Sequence, residues 1–129
     1  MAGVMAVCMD VMDRPWRWGE ADCCTAACDV FLRMHGVDPM EPLRGRYSTY
    51  REARRVISQE GGWLPMAESL ASRSGLTGCA GMVGCIGVVR DARGALALGI
   101  LTELGWAGKT EHGMAVGGML KGMRAWCVA

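Results

Sequence analysis

The sequence predicts an α+β fold in which N-terminal helices pack on a small antiparallel sheet. Three observations carry this. Before about residue 76, apolar residues recur every three or four positions; after it, glycine-punctuated apolar runs alternate as strands do. The 129 residues show no internal repeat, linker or low-complexity segment, which fits a single domain over 1–129, helical over about 1–75 and sheet-forming over about 76–129. A chain of this length buries about two thirds of its unfolded surface, enough for one core.

The elements follow in order. A first helix over about 3–12 places Val4, Val7, Cys8 and Val11 on one side and stops at Asp13-Arg14-Pro15, because proline disfavours helix in the residue before it. This start has no basic leader and its apolar run breaks at Asp10, so neither a signal peptide nor membrane insertion is expected. A second helix begins at Asp22 and ends near Gly36, a glycine C-cap with Pro39 beyond it. A third begins after Thr49, which forms a capping-box pattern with Glu52; Tyr50, Ala53, Val56 and Ile57 make its buried stripe, and Gly61-Gly62 end it. The fourth, over 64–75, carries Pro65 in its first turn and Gly75 at its end. The runs 82–89 and 95–102 flank the polar turn 90–94 and read as a β-hairpin; further strands are expected near 113–118 and 124–128.

The chemistry gathers in WRWGEADCC, residues 16–24. Asp22 is a good N-cap, so Cys23 falls in the first turn, where unpaired N–H groups and the helix dipole favour a thiolate. Cys24 points about 100° away and Cys28 lies one turn on, so both are expected to face the core. The seven cysteines are odd in number and sit in apolar contexts, which suits reduced core thiols better than a disulfide framework. Neither Cys24/Cys28 nor Cys79/Cys85 has the turn-borne spacing of a zinc or cluster site, so no metal or cofactor is expected, although a cysteine-ligated metal or iron–sulfur module stays open as a third reading. The formal charge of +1 leaves no global field to attract nucleic acid. Arg44, Arg46, Arg51, Arg54 and Arg55 nevertheless form a basic cluster, with Arg51, Arg54 and Arg55 on one helical face. That pattern points to docking against an acidic protein neighbour. Trp16 and Trp18 are expected to bury together, and Trp63 and Trp126 to anchor the core.

The run PWRWGEADCC…DVF, followed by GVDP, LRGRYSTYREA and GGW, resembles a phage-encoded family of small tail-region proteins similar to the NlpC-type papain-like cysteine peptidases. GCIGVV stands where such proteins open the first strand with Gly-Asp, ALGI where active peptidases carry a His-Val-Gly-Ile-like strand, and RAWCV matches the last strand. The resemblance implies a papain-like fold with Cys23 at the nucleophile position. It also implies two losses: Ala97 stands in the histidine's place, and Gly84-Cys85 replaces Gly-Asp. A cysteine nucleophile needs a base within hydrogen-bond reach. His35 lies about 18 Å along the helix from Cys23 at 1.5 Å per residue. His112 is then the one displaced base to consider, with Glu111 or Glu103 to orient it. The expected function is a structural or assembly component of a phage tail tip or baseplate. It would be assembled in the host cytoplasm, reside in the virion and dock other tail proteins, without binding nucleic acid. The alternative is a cysteine hydrolase of peptidoglycan peptides using Cys23 and His112.

Overall fold

The computed structural model describes residues 3–129; Met1 and Ala2, counted in the single domain above, lie outside the described residues. Helices come first: α1 (Val4–Met12), α2 (Cys23–His35), a 3-10 turn (Glu41–Leu43), α3 (Tyr50–Gln59) and α4 (Trp63–Arg73). Six strands follow: β1 (Leu76–Cys79), β2 (Ile86–Arg90), β3 (Leu96–Thr102), β4 (Gly105–Thr110), β5 (Gly113–Val116) and β6 (Lys121–Val128). They form one antiparallel sheet in the order β1-β6-β2-β3-β4-β5. The chain is thus α+β, and its change of character falls where the periodicity changes.

α2 is the centre of the molecule. Ala26, Ala27, Cys28, Val30 and Phe31 are all fully buried, and the helix packs on α1, β3 and β4. Three consecutive small residues let its backbone approach the sheet, while Phe31 fills the space beyond. α1 adds its predicted stripe, extended by Met12. Gly36 ends α2 in the left-handed conformation at φ 74°, its N–H donating to the Leu32 carbonyl at 2.8 Å.

At α3 the structure corrects two expectations. Thr49 accepts the Glu52 N–H at 3.1 Å, but the Glu52 carboxylate reaches back to the Ser48 N–H at 2.8 Å rather than to Thr49. That backbone N–H, with the Ser48 hydroxyl, holds the Glu52 carboxyl below its ordinary range. Tyr50 does not join the buried stripe; it is 57% exposed and leans on Trp18, ring centroids 5.3 Å apart, with the Arg54 guanidinium over its face at 5.7 Å. A phenol packs against an indole at the surface without burying its hydroxyl.

The β2–β3 hairpin forms as expected, and Asp91 organises its turn by accepting the N–H groups of Arg93 and Ala95, each at 2.9 Å. The strands β1 and β4 were not expected from the sequence. In β4, GWAGKT reads as turn-forming because of its glycines. Its Trp106 ring reaches across the sheet to glycines two and three strands away: a Cβ at Gly87 of β2 would sit 2.8 Å from the ring, and one at Gly122 of β6 2.5 Å from the indole Nε1. Trp126 is a core residue as predicted; Trp63 is only half-buried, at the core's edge.

Lys109 ties the two halves together. It is buried, and its ammonium donates to the carbonyls of Met12 at 3.0 Å and Arg14 at 2.5 Å, so β4 closes the C-terminal end of α1. Burial, and then the Arg14 charge, lower its pKa. Among the described residues, no helix is long and apolar enough to cross a membrane.

Candidate functional site

The site is built around the first turn of α2. Asp22, 1% exposed, caps the helix: one carboxylate oxygen accepts the Thr25 N–H at 2.9 Å, and the Thr25 hydroxyl accepts the Asp22 N–H at 2.9 Å. Its other oxygen accepts the Gly19 N–H at 2.8 Å and the Tyr47 hydroxyl at 2.7 Å. Burial, then the neighbouring Cys24 and Asp22, push the Tyr47 pKa up, so the phenol stays a donor. Gly19 has φ 84°, and a Cβ there would lie 2.2 Å from the Tyr47 carbonyl oxygen. The turn 16–22 therefore accepts no side chain at Gly19.

Cys23 opens α2 and is half-buried, its sulfur 4.0 Å from that of Cys24. Cys24 and Cys28 are buried as predicted. The contact with Cys23, then burial and the Asp22 charge, raise the Cys24 thiol well above the ordinary range; burial does the same to Cys28.

Cys23 faces an open groove of about 1120 Å³. One side carries Trp16 and Trp18 with Tyr50, Arg54 and Ile57 of α3 and Trp63 of α4; the other carries Arg93, Leu96 and Ala97 of the hairpin with Lys109 and Glu111. Beside Cys23 a small apolar pocket of about 40 Å³ runs inward between Ile57, Trp63, Leu43, Val56 and Met66. Trp16 and Trp18 meet edge-to-face, centroids 5.0 Å apart, and the Trp16 indole N–H is buried without an acceptor.

The groove holds a thiol without an imidazole. Ala97 does share the groove with Cys23, but it and its neighbour Leu96 offer only hydrocarbon. His35 is at the far end of α2, where Nε2 lies 2.9 Å from the Gly84 carbonyl oxygen and the ring packs on Phe31 at 4.4 Å. His112 is exposed in the turn after β4 and, unlike its neighbour Glu111, does not line the groove. Glu103 is engaged elsewhere, accepting the Met5 N–H at 3.0 Å. The titratable side chain that strand β4 does bring into the groove is Lys109, and its ammonium is committed to α1.

The predicted arginine cluster divides. Arg44 leaves it: its guanidinium bonds Asp38 at 2.7 Å and Asp29 at 2.6 Å, inside the fold. Burial opposes that charge, but the two carboxylates outweigh it and raise the Arg44 pKa. Such a side chain braces the 37–44 loop against α2 and is not free to dock. Arg46, Arg51, Arg54 and Arg55 are exposed, and among the described residues no carboxylate lies within 4.0 Å of them. Arg93, Tyr47 and Lys109 were not singled out by sequence reasoning; each reaches the site from a segment remote from Cys23.

Cys79, Cys85 and Cys127 lie near one another where β1, β6 and the start of β2 meet, away from the groove. Among the described residues, no group of three or more His, Cys, Asp or Glu side chains is arranged to hold a metal ion.

A family model described as "Domain of unknown function (DUF6950)" matches residues 2–128. The chain belongs to that family. The match spans both the helical and the sheet-forming halves, so the DUF6950 unit and the fold described above coincide. No curated protein and no solved structure matches the chain.

Proposed function

We propose that this DUF6950 protein is a non-hydrolytic structural or assembly component of a phage tail, near the tip or baseplate, built on a degenerate NlpC-type papain-like fold. The observation that carries the reading is the groove: a cysteine at a helix start, aromatic walls and unpaired guanidiniums, with Ala97, which the resemblance aligns with the peptidase histidine, lining it as hydrocarbon. A groove of this kind offers surfaces to bind and no imidazole beside the thiol. Its partners in this reading are other tail and baseplate proteins, and its place is the virion. The motifs in residues 15–31, 43–53 and 84–100 support the family resemblance behind it.

The alternative, a cysteine hydrolase of peptidoglycan peptides, is favoured by one observation, the accessibility of Cys23 at the groove wall. In it, His112 would have to be carried from the β4–β5 turn to the thiol.

Immunogold labelling of purified virions tests the proposal. Label at the tail tip or baseplate is the expected result; virions that carry none of the protein and assemble normally without it contradict the reading.

A further inference from the structure

We infer that the groove holds an extended acidic segment of a partner protein, with one apolar side chain of that segment in the pocket beside Cys23. This rests on the reading above that the groove binds without cutting.

The charges left over in the groove identify the occupant. Asp91 is held by its own turn and Lys109 by the end of α1, and their opposite charges offset each other. Beyond them stand Arg54 from the α3 side and Arg93 from the hairpin side, against Glu111. Arg51 and Arg55 continue the positive charge along the exposed face of α3. An unpaired guanidinium on either side of an apolar channel suits carboxylates placed on both sides of a chain, each taken up by a planar, forked donor. The inner pocket, lined by Ile57, Trp63, Val56, Leu43 and Met66, leaves about 40 Å³, room for the end of an aliphatic side chain.

Two other occupants fit less well. Single-stranded nucleic acid requires aromatic faces on which bases stack. Here Trp16 and Trp18 pack edge-to-face on each other, and the Tyr50 face is covered by Arg54. A second copy of this chain fits less well, because its most closely spaced acids, Glu20 and Asp22, are an ion-paired side chain and a buried helix cap.

The test is calorimetric titration of the intact protein at low salt with the capped peptide Glu-Glu-Leu-Glu-Glu. Its Gln-Gln-Leu-Gln-Gln and Glu-Glu-Gly-Glu-Glu counterparts are titrated alongside, with tryptophan fluorescence as a second readout. Saturable binding of the first peptide is expected, weakened about ten-fold by replacing its acids, and similarly by Arg54→Glu or Arg93→Glu. Loss of the leucine also weakens it, while Arg73→Glu, an exposed charge outside the groove, leaves it unchanged. Equal binding of the glutamine peptide, or indifference to both groove reversals, overturns the inference. So does an oligonucleotide that displaces the acidic peptide at lower concentration, or a groove occupied by self-association. Absence of any peptide binding refutes the inference and leaves the tail reading to its own labelling test. Cleavage of the bound peptide would support acidic recognition and refute the non-hydrolytic reading.

Discussion

The two ends of α2 carry a thiol and an imidazole and keep them apart. At its start, Cys23 opens onto a groove, fixed there by the Asp22 cap and its bonds to Thr25, Gly19 and Tyr47. At its finish, His35 packs on Phe31 and reaches the Gly84 carbonyl, with the Gly36 turn just beyond. The polar groups at both ends are held by the fold. What differs is the exposure of the reactive atom: the sulfur meets the groove, while the imidazole is used as a packing and hydrogen-bonding group. The two lie about 18 Å apart along a rigid rod. One helix thus carries a thiol at the groove and an imidazole in the packing, with no contact between them.

Removing the cap should break the thiol end most severely. Asp22→Ala deletes the N-cap acceptor and strands the Tyr47 hydroxyl and the Gly19 N–H, at a cost of about 3 kcal/mol in urea unfolding. Asp22→Asn, which keeps an acceptor, should recover most of it. Lys109→Met, which leaves the Met12 and Arg14 carbonyls without their donor, should cost about 2 kcal/mol by the same measurement, because the hydrocarbon stem is retained and the ammonium is lost. At the imidazole end His35→Ala should cost only about 1 kcal/mol, one hydrogen bond and one ring contact, and leave peptide binding in the groove untouched. If His35→Ala instead abolished a function of the groove, the two ends would be coupled and the comparison would fail.

A further effect is confined to alkaline pH. Burial, reinforced by Glu103, pushes the Cys8 thiol up to about 11; burial does the same for Cys85, also about 11, helped by Cys79 and opposed by a Met82 backbone contact. An unfolded thiol ionises near 9.0, so from there upward the unfolded chain gives up protons that the folded chain keeps. The stabilisation is complete below pH 9.0 and is lost as pH rises through about 11. The melting temperature should fall across that window, and less steeply in Cys8→Ala relative to its own neutral-pH value.

Much of this was legible in local sequence. The α1 stripe, the Asp22 and Thr49 caps, the glycine stop at Gly36 and the 90–94 hairpin turn each depend on residues within a few positions of one another. The errors have a common physical source in long-range contacts. Tyr50 fitted the buried stripe by spacing, but Trp18 arrives from another segment to hold it at the surface. Arg44 looked like part of a surface cluster until the fold brought Asp29 beside it. β4 was hidden because Gly105 and Gly108 resemble a turn; Gly105 does open the strand at φ 110°, while the place of Gly108 opposite Ala115 is set by strand pairing that no local pattern reveals. The groove was half legible: Cys23 and Ala97 could be named, but not Arg93 or Lys109, which reach it only through the sheet.

The central proposal is that Cys23, with no imidazole beside it in the groove, does not turn over substrate. Mass spectrometry of the intact protein and of purified peptidoglycan peptides, mixed and sampled from milliseconds to hours, tests it most directly. The account predicts that both masses stay unchanged throughout. Shortened peptides, or a transient acyl adduct mapped to Cys23, would contradict it.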